Sequence, residues 1–158
     1  MKPDRFPKQF VVVFAATLAL YLAVFHGIEH LRARKGPWAV TFAQVADGSP
    51  ALVISQRKLK VSEVRLVFPG EKSGAANGPS TVIFRTPRPV PYNVPFGKCV
   101  FEDLTFLPGT VTLHLFGHEI ELLPRTLIID KREHPWISNS TISLSITNKL
   151  PYLKGRKP

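Results

Sequence analysis

Gln9-Phe10-Val11-Val12-Val13-Phe14-Ala15-Ala16-Thr17-Leu18-Ala19-Leu20-Tyr21-Leu22-Ala23-Val24-Phe25-His26-Gly27-Ile28 is a run of 20 residues with no formal charge. At 1.5 Å per residue a helix of this length spans about 30 Å, the thickness of the hydrocarbon core of a bilayer. Buried helices of soluble proteins are usually shorter and keep a polar stripe. Here Val11, Val12, Val13, Phe14, Leu18, Leu20, Leu22, Val24 and Phe25 point in every direction around the axis. The run reads as a single membrane-spanning helix from Phe10 to Ile28.

The basic residues before it (Lys2, Arg5, Lys8) would equally precede a secretory signal. A cleavable signal needs a shorter apolar run and a small-x-small cleavage site. Ala19-Leu20-Tyr21 and Ala23-Val24-Phe25 are not such sites, so an uncleaved signal-anchor is expected. The helix is expected to continue through Arg32, Arg34 and Lys35 until Gly36-Pro37 stops it. Those three cations suit lipid headgroups and the negative end of the helix dipole. The domain scheme is a basic tail over 1–9, the helix with its basic extension over 10–35, a soluble domain over 37–148 and a basic tail over 149–158.

The net charge of +10 is unevenly placed. Residues 1–36 carry six basic and two acidic residues, and the stretch from Lys149 carries four basic residues and no acid. The body between them has eleven basic against nine acidic residues and is nearly neutral. A nucleic-acid-binding domain concentrates its charge on a folded face, so no nucleic-acid partner is expected. Basic flanks fit anionic lipid. Orientation is balanced by three basic residues on each side of the apolar run. A short basic N-terminus more often stays in the cytoplasm, which places the soluble domain in the periplasm or another extracytoplasmic space. The single cysteine, Cys99, excludes an internal disulfide and reads as a buried inert thiol.

Beyond Gly36-Pro37 the hydrophobic period changes from helical to two. Trp38, Val40 and Phe42 alternate with Ala39 and Thr41, and Asp47-Gly48-Ser49-Pro50 turns the chain into Ala51–Ser55. Val64, Leu66 and Phe68 form the next apolar face, and Gly70–Ser80 reads as a mobile loop. Thr81–Thr86 is a short strand. The four prolines between Pro87 and Pro95 predict a polyproline-like edge connector. Cys99–Leu107, Val111–Leu115, Ile120–Leu122, Thr126–Asp130 and Thr141–Ile146 complete about eight short strands. The pattern predicts an all-β domain, an antiparallel β-sandwich or barrel. In the clearest hairpin, Gly117-His118 supplies a two-residue turn that pairs Leu115 with Ile120 and His114 with Glu121.

Chemistry-bearing groups are few. His26-Gly27-Ile28-Glu29-His30 matches H-x-x-E-H, the inverted zinc-protease motif. It lies where a lipid-facing helix leaves the membrane and lacks a third ligand, so interfacial polarity is the expectation. On the hairpin, His114, His118, Glu119 and Glu121 form a second cluster, which would bind metal only with a further ligand such as His134. Asp103 with Glu102, and Asp130 with Glu133, read as strand-edge and turn charges. No phosphate loop, nucleophile elbow or paired catalytic carboxylates is present in the sequence, so neither an enzyme nor a cofactor is expected. Within the helix, Ala15, Ala19, Ala23 and Gly27 recur every four residues, a spacing that lets two helix backbones approach in lipid. The reading is a non-enzymatic, single-pass accessory, assembly or scaffold subunit of a larger membrane complex, or a homo-oligomer. The alternative is a membrane-tethered binding domain for a metal or small ligand on the His114–His118 hairpin.

Overall fold

The computed structural model describes residues 6–72 and 78–144, and for residues 6–7 and 32–35 the backbone alone. The expected basic tails (1–5 of the first, all of the second), the centre of the Gly70–Ser80 loop and the predicted strand end at Ser145-Ile146 lie outside the described residues. Two compact units are present, one over Met1–Arg34 and one over Lys35–Pro158.

The first unit is one helix, α1 (Phe6–Lys35), which begins three residues before the uncharged run and ends where Gly36 takes a positive φ of 66°. Pro7 is tolerated because first-turn N–H groups have no partner in the helix. Every described side chain from Lys8 to Leu31 is exposed, including Phe10, Val12, Leu20 and Val24. The segment Lys8–Leu31 is long and apolar enough to cross a membrane.

The second unit is all-β, with strands β1 (Trp38–Gln44), β2 (Pro50–Gln56), β3 (Val61–Val67), β4 (Ser80–Phe84), β5 (Tyr92–Val94), β6 (Gly97–Asp103), β7 (Thr110–Leu115), β8 (His118–Leu122), β9 (Thr126–Ile129), β10 (Arg132–Pro135) and β11 (Thr141–Ser143). They form two sheets, β11-β3-β2-β1-β4 and β10-β9-β8-β7-β6-β5. Eleven strands replace the expected eight or so. The additions include β5, inside the proline-rich connector, and β10, a charged four-residue edge. One pair is not antiparallel, because β11 runs parallel to β3.

One core fills the space between the sheets. Trp38, Val40, Phe42, Leu52, Ile54, Leu66 and Phe84 from the first sheet meet Val111, Leu113, Leu115, Ile120, Leu122 and Leu127 from the second. Each such side chain stabilises the fold by about 1.5–3 kcal/mol when fully buried. Strict alternation along β1 and β8 turns these residues inward.

The register defines two ends. At the near end, where the chain comes in at Gly36-Pro37, Trp38 pairs with Phe84 and Gln56 with Val61. Here Trp38 Nε1 donates to Gly109 O across the sheets at 2.9 Å, Trp38 packs on Trp136 at 5.2 Å, and Trp136 Nε1 donates to Leu123 O at 2.9 Å. Gly109 is required at its site, since φ is +74° and a Cβ would stand 2.3 Å from Asp103 O. At the far end the rings of Phe42, Phe96, Phe116 and Phe68 form a continuous chain with centroids 5.1–5.5 Å apart.

The central hairpin differs from its expected register. The turn is Phe116-Gly117, with both φ values positive at 51° and 81°, as a type I′ turn requires. Leu115 therefore pairs with His118, His114 with Glu119 and Leu113 with Ile120. Moving the turn by one residue shifts the pairing by two, so every side chain keeps its face. Packing of the Phe116 ring against Phe68 and Phe96 offsets the cost of its left-handed backbone.

Candidate functional site

Three places in the molecule collect groups with chemical or binding potential. The first is α1. Ala15, Ala19, Ala23 and Gly27 are all exposed, and a Cβ built on Gly27 meets nothing within 4 Å. The hydroxyl of Thr17 donates back to Val13 O at 2.9 Å, so the polar group in the middle of the apolar run is satisfied by its own helix. His26 and His30 are exposed near the end of the run, and Phe25 packs edge-on against His26 at 5.8 Å. The backbone of Arg32, Arg34 and Lys35 continues the helix as expected, while their side chains lie outside the described residues.

The second place is the hairpin of β7 and β8. The structure separates the two histidines that the sequence grouped. His114 is on the outer face of its sheet, with Nε2 3.2 Å from Glu119 Oε2. His118 is on the inner face, with 1% of its side chain exposed. The expected pairing of His114 with Glu121 is replaced by His114–Glu119, because the turn lies one residue earlier. Glu121 instead pairs across the strands with Thr112, and burial, then the Glu119 charge, raises its carboxyl above the usual range. Among the described residues, no three His, Cys, Asp or Glu side chains come together as metal ligands.

His118 has a partner that sequence reasoning missed. Its Nδ1 lies 2.6 Å from Asp130 Oδ2, and Asp130 Oδ1 accepts from Glu119 N–H at 3.0 Å. Asp130 N–H in turn donates to Glu119 O at 2.9 Å. Asp130 and Lys131 both have positive φ, which builds the tight turn from β9 to β10 and carries the carboxylate over β8. Asp130 is thus no solvated turn charge: it is 8% exposed and satisfied at both oxygens. Twelve residues separate it from His118, and no local spacing rule joins them.

The third place is at the β5–β6 edge. Tyr92 OH donates to Glu102 Oε2 at 2.8 Å. Glu102 Oε1 is buried and has no hydrogen-bond partner among the described residues. The Glu102 reading as a strand-edge charge is corrected accordingly: opposite the buried Val111, it turns toward the core. Burial, then the hydrogen bonds with Cys99 and Glu102, raise the Tyr92 hydroxyl well above its ordinary value. Burial also pushes up the Cys99 thiol, which is fully enclosed and donates to Phe101 O at 3.5 Å. Such a thiol is a poor nucleophile.

No protein family, no characterised protein and no solved structure matches this chain. Function must therefore be argued from the geometry itself.

A general base needs a cleft that brings a substrate within reach. His118 packs 6.0 Å from the Phe68 ring, inside the sandwich. An open depression of about 430 Å³ does occur at the far end, lined by Gln44, Asp47, Gly48, Ser49, Gly70, Glu71 and Lys72. Its Asp47 carboxylate accepts from Ser49 N–H at 2.8 Å, which closes a turn and holds its pKa below the usual value.

Proposed function

We propose that this chain is a single-pass membrane protein whose helix holds a non-enzymatic β-sandwich beside a larger membrane complex, as an accessory, assembly or scaffold subunit. The observation that carries the reading is α1. Over Lys8–Leu31 it has 24 residues, about 36 Å of helix at 1.5 Å per residue, with apolar side chains exposed on all sides. Water penalises that surface at roughly 25 cal/mol per Å², and lipid does not. The internal bond of Thr17 fits the same medium, in which unsatisfied polar groups are expensive. The Ala15, Ala19, Ala23 and Gly27 stripe is where another transmembrane helix packs, from a larger complex or from a second copy. The N-terminus lies in the cytoplasm and the sandwich in the periplasm or another extracytoplasmic space.

Ala19→Leu and Gly27→Leu test the association. Open space surrounds Gly27, so the larger side chain leaves the helix itself intact. Each variant is expected to lose its partner during purification in mild detergent, while the parent chain keeps it. Unchanged co-purification of both variants would refute the packing face. Protease added to intact spheroplasts is expected to digest the sandwich; protection until lysis would reverse the orientation.

A further inference from the structure

The loops at the two ends of the sandwich differ in charge. At the near end, residues 57–60, 85–91, 104–109, 123–125 and 136–140 hold Arg57, Lys58, Lys60, Arg85, Arg88 and Arg125, all exposed, and no acidic residue. These are six of the eleven basic residues of the body. The far-end turns hold Asp47, Glu71 and Asp130 against Lys72 and Lys131. Acids at neighbouring strand positions offset the near-end charge only partly. Glu63 is exposed on β3, and Asp103 turns its carboxylate back onto Thr105 N–H and Oγ1 at 3.0 and 2.6 Å.

Apolar side chains stand among those cations. Outside α1 the exposed large hydrophobic residues among the described ones are Ile83, Val90, Phe101, Phe106 and Ile137. Three of the five are on near-end loops, with Phe106 62% and Ile137 58% exposed. The loops are also tied to the incoming chain. Gln56 Nε2 donates to Gly36 O at 2.8 Å and to Pro37 O at 3.2 Å, while its Oε1 accepts from Lys58 N–H at 2.6 Å. Ser138 Oγ donates to Lys60 O at 2.9 Å and so joins the Ile137 loop to the basic turn. The near end is also where the chain enters from α1, two residues after the helix. An anionic surface attracts cations over roughly 10 Å.

We propose that the near-end loops are a docking surface for anionic lipid headgroups, with Arg57, Lys58, Lys60 and Arg125 on the phosphates and Phe106 and Ile137 at the acyl boundary. Cations alone would suit an acidic protein equally. The exposed apolar tips beside a membrane tether select lipid, whose interface takes both. The proposal rests on α1 as a membrane anchor and adds a second, reversible contact made by the sandwich.

The test uses the full chain in nanodiscs of phosphatidylcholine alone or with one part in three of phosphatidylglycerol. Amide exchange over residues 57–60 and 104–109 is expected to slow at least roughly fivefold in the anionic discs, the effect of a single well-placed cation. Far-end amides at 116–118 are expected not to change. The triple variant Arg57→Glu/Lys58→Glu/Arg125→Glu is expected to lose the protection while its far-end exchange stays as in the parent. Equal exchange in neutral and anionic discs, or protection that survives the triple variant, overturns the proposal. Vesicle flotation separates this failure from failure of the anchor. An anchored chain floats with neutral vesicles after an alkaline wash. A chain held by the loops alone floats only with anionic vesicles and is released by salt.

Discussion

The far end of the sandwich contains a buried hydrogen-bonded site in which both carboxylate oxygens of Asp130 have partners, whereas the near end contains a carboxylate, Glu102, with one buried oxygen unpartnered among the described residues. The far end is closed by four phenylalanines and by turns that carry positive φ at non-glycine residues. The near end is closed by two tryptophans whose indole N–H groups bond loop carbonyls, and outside that closure it presents cations. A fully satisfied polar group rigidifies its surroundings, and a partly satisfied one does not. One end therefore matches each buried carboxylate oxygen with a donor, and the other leaves one unmatched among the described residues.

The far end should fail first when its pair is broken. Asp130→Ala leaves His118 and the Glu119 N–H buried without their acceptor. The expected loss is about 3 kcal/mol, since two hydrogen bonds to a buried carboxylate are lost at roughly 1–3 kcal/mol each. Urea unfolding of the full chain in mild detergent measures it as a lower midpoint with an unchanged slope. A loss below about 1 kcal/mol would mean that the far end does not depend on this pair.

The near end is expected to be sensitive through Trp38. Trp38→Phe removes the donor to Gly109 O and leaves that buried carbonyl unpaired, at a cost of about 2 kcal/mol. Trp136→Phe removes a similar bond at a half-buried ring and should cost less. If Trp136→Phe costs more than Trp38→Phe, the closure of this end is attributed to the wrong indole.

These pairs also mark how far the sequence could be read. The helix was legible because 20 uncharged residues leave no other solvent for it. The alternation of Trp38, Val40 and Phe42, and of Val111, Leu113 and Leu115, gave the inward faces directly. The hairpin turn was not legible. A loop at Phe116-Gly117 or at Gly117-His118 leaves Leu113 opposite an apolar residue, so alternation cannot choose between them. The choice is made by Asp130, twelve residues away, which makes burial of His118 affordable. β5 and β10 were missed because three residues set between Pro91 and Pro95, and four that are mostly charged or polar, show no hydrophobic period. The separation of His114 from His118 was not legible either, since the turn position that puts them on opposite faces of one sheet depends on Asp130.

A further way to sharpen the comparison is to complete the loss at Glu102. Tyr92→Phe removes the donor to its Oε2 and is expected to cost about 1–2 kcal/mol at neutral pH. Adding Glu102→Leu should recover part of that loss, because an apolar group in place of an unpaired carboxylate removes the penalty. The same corner weakens in alkali. In the fold, burial raises the Cys99 thiol above 9.0 and the Tyr92 hydroxyl above 10.0, the values expected of the unfolded chain. The unfolded state therefore loses these protons first, and stability falls as pH rises above about 9. Cys99→Ala in the Tyr92→Phe background should flatten that fall.

The smallest expected effect separates outer-face electrostatics from both ends. Glu121 faces Thr112 on the outside of its sheet, and desolvation together with the Glu119 charge raises its carboxyl in the fold above 4.5. A raised acid is protonated more readily when folded than when unfolded. Its ionisation therefore opposes folding once the pH exceeds the unfolded value, and the penalty is fully developed above the folded one. Glu121→Gln removes the penalty and should stabilise the chain at pH 7 by no more than about 0.5 kcal/mol, the scale of surface substitutions. Well below 4.5 the parent is neutral at this site in both states, so the two chains should then unfold at the same urea concentration. A gain that persists in acid would have to come from packing against Thr112 instead of from charge, and the outer face would then share the ends' dependence on side-chain fit.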